Sequence, residues 1–154
     1  MDKENIKENI IEEKIKVLFV CIHNSARSQM AEAFLKNIGG EAFQVESAGI
    51  EPGKLNPLVV EVMKENNIDI SENKTKSVFE LFQQGRIFNY VITVCDKATG
   101  EKCPVFPGTL NRLNWSFDDP NSFIGTNDEK ILKTRIVRDQ IKARIELFIK
   151  ESIE

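Results

Sequence analysis

The chain of 154 residues has little cysteine and almost no histidine, three of the first and one of the second. Three is an odd number, and Cys21, Cys95 and Cys103 are not spaced like the paired framework of a secreted disulfide-rich domain. No Cys-x2–4-Cys or His-x3–5-His spacing occurs, so zinc held by Cys21, His23, Cys95 and Cys103 is not expected. Any Cys–His catalytic pair would have to use His23, the only imidazole. Long apolar runs are missing too. The longest, Val17 to Ile22, falls far short of a membrane span, and the charged N-terminal stretch lacks the apolar core of a signal peptide. Nor is there an excess of positive charge. With 21 basic and 24 acidic residues the net charge is −3, which offers no general attraction to nucleic acid or to an anionic membrane. The expectation is a cytoplasmic protein, where free cysteines are catalytic or inert rather than permanently bridged. No internal repeat, low-complexity tract or linker interrupts the sequence, and its length suits one domain with a sizeable core.

What is present is concentrated in one stretch, Cys21-Ile22-His23-Asn24-Ser25-Ala26-Arg27-Ser28. Before it, Lys16-Val17-Leu18-Phe19-Val20 reads as a buried strand. After it, Met30, Phe34 and Ile38 recur at helical spacing, flanked by Ala31 and Leu35, until Gly39-Gly40 ends the pattern. A cysteine and an arginine therefore sit on a tight strand-to-helix turn. The amides from Ile22 to Arg27 can turn inward as a nest of donors, the helix N-terminus adds positive dipole, and Arg27 can grip two oxygens of a tetrahedral anion. The same donors favour a thiolate on Cys21. Ser28 can give that sulfur a further hydrogen bond, and Asn24 can pin the loop through its backbone. A ring of His23 inside such a nest points outward, leaving its N–H in use. The competing reading is a buried cysteine ending a strand, with Arg27 and Ser28 as ordinary helix-start residues; the strand–loop–helix context makes it the weaker one.

The rest alternates strands and helices. Residues 1–14 are charge-rich, with Ile6, Ile10 and Ile11 on one helical face, and read as a short helical extension to a domain spanning 15–154. A second strand is predicted over Phe43 to Ser47, a third over Tyr90 to Val94 and a weaker fourth over Leu110 to Trp115. Asn56-Pro57 opens a helix through Val59, Val60 and Met63, and Ser77 to Phe82 reads as another, ended by Gly85. Thr126-Asn127-Asp128-Glu129 is a capping box for a long last helix with an apolar stripe of Leu132, Ile136, Ile141, Ile145 and Phe148. The fold class is α/β, a single-domain three-layer αβα arrangement around a four-stranded parallel sheet.

Cys95 ends the third strand, so in a parallel sheet it emerges at the same edge as Cys21. Cys103 follows the polar, turn-prone stretch from Asp96 to Lys102. Taken singly, Cys95 could be a small buried hydrophobe and Cys103 an incidental surface thiol. Together, three thiols near one edge can pass a disulfide along, provided that segment 96–102 can rearrange; Gly100 and the lack of apolar residues other than Ala98 permit that. Asp118 and Asp119 precede Pro120, either as turn caps or as a source of the general acid that a departing oxygen needs.

Cys21 to Met30, Ala31-Glu32-Ala33-Phe34 and Glu46-Ser47-Ala48-Gly49-Ile50-Glu51 resemble the low-molecular-weight tyrosine phosphatase fold family, in the version used by thioredoxin-coupled arsenate reductases. The stretches Val94-Cys95-Asp96 and Lys102-Cys103-Pro104 are what distinguishes such reductases from the plain phosphatases of this fold. The resemblance covers Lys16 onward. It implies arsenate as substrate, with phosphate or sulfate as competing oxyanions bound by residues 22–28, and Asp119 as the acid, with Asp118 the weaker candidate. It further implies attack by Cys21 with Arg27 on the anion, a Cys21–Cys95 and then a Cys95–Cys103 disulfide, and thioredoxin as reductant, in a monomer without organic cofactor or catalytic metal. Some members hold a structural potassium ion through asparagine, glutamate, serine and aspartate. Asn24, Glu32 and Ser47 match, but the aspartate is missing around Asn73 to Ser77, where Lys74 or Lys76 can put a charge in place of the cation. Two alternatives stay open: a phosphatase working through a Cys21 phosphocysteine, for which Cys95 and Cys103 are dispensable, and a non-catalytic oxyanion-binding or redox-sensing module.

Overall fold

The computed structural model describes residues 13–95 and 111–153. Four parallel strands, β1 (Ile15–Cys21), β2 (Phe43–Gly49), β3 (Tyr90–Thr93) and β4 (Asn111–Asn114), form a sheet in the order β2-β1-β3-β4. The helices are α1 (Arg27–Gly39), α2 (Pro57–Lys64), α3 (Val78–Gln83) and α4 (Asn127–Ile153). Strand β1 is central and buried on both faces, hence its unbroken apolar run. Val17 and Phe19 face one side, where Met30 and Phe34 of α1, Val59 and Met63 of α2 and Ile141, Ile145 and Phe148 of α4 pack on them. Leu18 and Val20 face the other side, covered by Val78 and Leu81 of α3 with Phe88 and Val91. Three layers result, the helices unequally divided.

The chain leaves β1 through α1 to β2, which pairs along one edge of β1, then passes through α2 and α3 to β3, which pairs along its opposite edge. The carboxyl ends of β1 and β3 therefore flank the point where the strand order reverses, the place where α/β sheets bind ligands. Cys21 pairs with Gly49 across β1 and β2, and Val20 with Thr93 across β1 and β3.

Asn56 caps α2 as its sequence predicts, its side chain accepting from Leu58 N at 2.9 Å, with Pro57 at the first helical position. Ser77 caps α3, so that helix begins at Val78 and runs to Gln83. Thr126 caps α4 as expected, its Oγ1 accepting from Glu129 N at 3.2 Å, while the Glu129 carboxylate meets the Thr126 hydroxyl at 3.2 Å rather than its main-chain N–H. Strand β2 is two residues longer than predicted and β3 one shorter.

Two apolar expectations fail. Ile38 lies in the last turn of α1 and is 40 % exposed. In α4, Leu132 and Ile136 are exposed, and Thr134 and Val137 take their places beside Ile141, Ile145 and Phe148. The reason is angular: five residues from Ile136 to Ile141 turn roughly 500°, about 140° off the buried face, whereas steps of three and four stay on it. Helix α4 is also tied to α2 from outside the core. Arg135 and Arg138 both donate to the Glu65 carboxylate, and Arg138 also to Val62 O at 2.9 Å. No helix among the described residues is long and apolar enough to cross a membrane. The predicted helical face of Ile6, Ile10 and Ile11, Cys103 and the 96–102 segment lie outside the described residues.

Candidate active site

The loop from Ile22 to Ala26 is held from outside. Its carbonyls are taken one after another by a neighbouring stretch: Cys21 O by Ile50 N at 3.2 Å, Ile22 O by Glu51 N at 2.8 Å, His23 O by Gly53 N at 3.0 Å and Ser25 O by Asn56 N at 3.0 Å. The Asn24 carbonyl accepts from Gln29 Nε2 at 3.1 Å. Because a trans peptide points its N–H opposite to its C=O, the amides of residues 22–26 are turned to the concave side. Asn24 N lies 3.1 Å from Cys21 Sγ. This turn needs a left-handed residue, and Asn24 supplies it at φ 54°, a conformation that asparagine tolerates better than most. Helix α1 follows with Ala26 at its N-cap, which offers no side-chain acceptor to the first-turn amides. The helix start is left as an anion site.

Beneath the loop runs a buried polar chain. Ser28 Oγ is 2.9 Å from Cys21 Sγ, and Asn24 Nδ2 donates to Ser28 Oγ at 2.8 Å and to Ser47 Oγ at 2.9 Å. Ser47 Oγ donates to Glu32 Oε1 at 2.8 Å. Asn24 Oδ1 accepts from Lys76 N at 2.9 Å and from Gln29 Nε2 at 3.2 Å. Asn24, Ser28, Gln29 and Ser47 are wholly buried, so each bond is made without competing water.

Arg27 is buried, its Nη1 donating to Phe117 O at 3.1 Å and its Nη2 standing 3.5 Å from Asp119 Oδ2. Asp119 is kept in place by its other oxygen, which accepts from Asn121 N at 3.0 Å. Asn121 bridges the two loops, donating from Nδ2 to Ser25 Oγ and accepting from Asn56 Nδ2 at 2.7 Å. Cys21, His23, Ser25, Ala26, Arg27, Asp119 and Asn121 line one open hollow. The His23 ring is tied outward, Nδ1–H donating to Glu51 O at 2.9 Å. Cys95 lies two residues beyond β3, at the same edge of the sheet, and is fully buried.

The hollow thus gathers Cys21, Arg27 and Asp119, with Ser28 buried beneath it against the Cys21 sulfur, all singled out in the sequence. Asn121, Gln29 and the second role of Asn56 escaped notice. Asn121 had one available signal, its place directly after the Asp119-Pro120 pair.

Comparison with known proteins agrees with this architecture. Residues 16–153 match the low molecular weight phosphotyrosine protein phosphatase family. The chain belongs to that family. Within it, the chain is 43 % identical over 141 residues to the arsenate reductase of Bacillus subtilis, covering 90 % of this chain and 96 % of that one. Among solved structures it is similar to an arsenate reductase in a phosphate-binding state, with TM-score 0.70 and 31 % identity over 89 % of this chain and 98 % of that one. It is also similar to the thioredoxin-dependent arsenate reductase of Corynebacterium glutamicum, with TM-score 0.59 and 29 % identity over 92 % of this chain and 66 % of that one. The family read from Cys21 to Met30 is the family found.

Proposed function

We propose that this family member reduces arsenate to arsenite, using Cys21 as nucleophile and a disulfide relay to Cys95 and Cys103. The observation that carries the reading is the Cys21 sulfur, supplied with donors by Ser28 and Asn24 beneath a ring of inward amides and beside the Arg27–Asp119 pair. A tetrahedral anion in that ring has its charge met by amides and guanidinium. The Cys21 thiolate attacks arsenic. An As–S bond forms, an As–O bond breaks, and Asp119 gives its proton to the departing oxygen, which leaves as water. The Cys95 thiolate then attacks Cys21 Sγ. The S–S bond forms, and the electron pair of the As–S bond goes to arsenic, which departs as arsenite. Two thiols have lost two electrons and arsenic has gained them. Cys103 next attacks Cys95, freeing Cys21, and thioredoxin reduces the last bridge. The similarity to reductases, one of them named as thioredoxin-dependent, supports arsenate as the substrate and thioredoxin as the reductant. We take the working unit to be a cytoplasmic monomer that needs no cofactor.

The family to which the chain belongs favours one second reading, hydrolysis of phosphotyrosine or a small phosphoester through a Cys21 phosphocysteine. Arsenate-dependent NADPH oxidation, coupled through thioredoxin and its reductase, separates the two. The native protein should turn over, Cys21→Ser and Cys95→Ser should not, and Cys103→Ser should stall after one turnover. Absence of arsenate-dependent oxidation in the native protein refutes the reductase reading. Full activity in Cys103→Ser refutes the three-thiol relay and leaves reduction standing.

A further inference from the structure

Among the described residues Glu32 is the only buried carboxylate, and it lies under the oxyanion loop. A carboxylate taken out of water needs a counter-charge and filled lone pairs. Glu32 Oε2 meets Lys36 Nζ at 3.0 Å, one turn along α1, where the lysine is more than half exposed. Oε1 accepts from Ser47 Oγ and faces Lys76 Nζ at 3.5 Å. Lys76 comes from the stretch bridged to β2, where Gly49 N donates to Lys76 O at 2.8 Å. It therefore reaches the loop twice, by its main-chain N–H to Asn24 Oδ1 and by its ammonium to Glu32.

Asn24, Glu32 and Ser47 were also the residues matched to a structural potassium site, and their arrangement does not fit that ion. Potassium takes oxygen donors. The Lys76 N–H must be met by the Asn24 oxygen, which fixes the amide with its nitrogen toward Ser47 and Ser28. A cation placed among Asn24, Ser47 and Glu32 would face an amide NH2 and an ammonium.

We propose that Lys76 is a positioning residue that does from within the chain what a bound monovalent cation would do. Its charge holds Glu32, Glu32 holds Ser47, and Ser47 together with Lys76 N–H holds the Asn24 amide that sets Ser28 against Cys21. Oxyanion binding by this chain is accordingly indifferent to potassium. The inference rests on the reading of the Cys21 loop as the oxyanion site, and its test uses binding and unfolding rather than turnover, so it stands or falls apart from arsenate reduction.

The test compares the full chain with Lys76→Arg and Lys76→Ser in potassium chloride and in tetramethylammonium chloride at equal ionic strength, by thermal unfolding and by titration with inorganic phosphate. The native chain should give the same melting temperature and phosphate Kd in both salts, and Lys76→Arg should bind phosphate within about twofold of it. Lys76→Ser should bind phosphate roughly threefold to tenfold more weakly in tetramethylammonium, and potassium should restore most of that loss. Potassium stabilising the native chain would overturn the proposal. So would a Lys76→Ser variant that binds phosphate normally in tetramethylammonium, or one whose loss potassium does not relieve. If Lys76→Ser does not fold in either salt, the comparison on the native chain decides.

Discussion

Ser28 Oγ lies 2.9 Å from Cys21 Sγ, and its oxygen already accepts the Asn24 side-chain amide at 2.8 Å. With an acceptor site so occupied, the Ser28 hydroxyl proton is directed at the sulfur, which also takes Asn24 N–H at 3.1 Å. Two donors aimed at one sulfur meet the negative charge that it carries when it attacks. Ser28→Ala removes one of those donors. Since a hydrogen bond to a charged group contributes about 1.5–3 kcal/mol, alkylation of Cys21 by iodoacetamide and arsenate-dependent turnover should both slow by about tenfold to a hundredfold. Phosphate affinity, which the amides and Arg27 supply, should change by less. Equal alkylation rates in variant and native protein would show that Ser28 does not act on the sulfur.

Asp119→Asn should separate binding from chemistry. The asparagine oxygen can still accept from Asn121 N, so the Pro120 turn keeps its cap. What is lost is a proton donor beside Arg27. Turnover should fall by about 10²–10⁴, the usual contribution of a positioned general acid, while phosphate binds at least as tightly. Single-turnover kinetics with an unchanged first step would rule out Asp119 as the acid.

Gly49 has no room for a side chain. A Cβ there would stand 2.7 Å from Ile22 O and 2.8 Å from Asn24 N, both main-chain atoms of the oxyanion loop. Gly49→Ala should destabilise the fold by about 1–3 kcal/mol and weaken phosphate binding, because the loop itself must shift. Gly53→Ala is the control. Its Cβ would meet the His23 Cβ at 3.4 Å, an ordinary contact, and should cost within about 0.5 kcal/mol. Urea unfolding and phosphate titration of both variants check the contrast.

The clamp between α2 and α4 makes a prediction in pH. Hydrogen bonds from Arg135, then from Arg138, hold the Glu65 carboxyl down at about 2 against an ordinary value of 4.5. A carboxyl depressed in the folded state is protonated first in the unfolded chain. Its contribution is therefore complete above the unfolded value and is lost as pH falls toward the folded one. The urea midpoint of native protein minus that of Glu65→Gln should be positive and flat above about pH 5, then shrink steadily toward pH 2. Added salt should shrink it as well, because the pair is exposed. A difference that grows on acidification would contradict the clamp.

Much of this geometry was legible because its parts lie close together in the chain. The strand before Cys21, the helix after Arg27 and the donors between them announce themselves within a dozen residues. Asp119 stands out only through the proline that follows it, taken together with the family resemblance of the Cys21 loop. Gln29 and Asn121 were invisible for a physical reason: each works by meeting groups from distant segments, Gln29 at Lys74 O and Asn121 at Ser25 and Asn56. No local spacing encodes that. Leu132 and Ile136 misled because apolar residues at a step of four mimic a buried face even when the next step, of five, leaves it. Their exposure is decided by where α4 crosses α1 and α2.

The carbonyls of Cys21, Ile22, His23 and Ser25 are bound by residues 50–56 rather than by the loop's own neighbours. The cup is therefore not a portable cassette. Residues 21–28 grafted onto another strand-to-helix junction would carry the thiol and the arginine but not the outer stretch that faces the amides inward. Such a graft should yield an ordinary cysteine with no grip on a tetrahedral anion, and restoring that grip would require transplanting the 49–56 segment along with it.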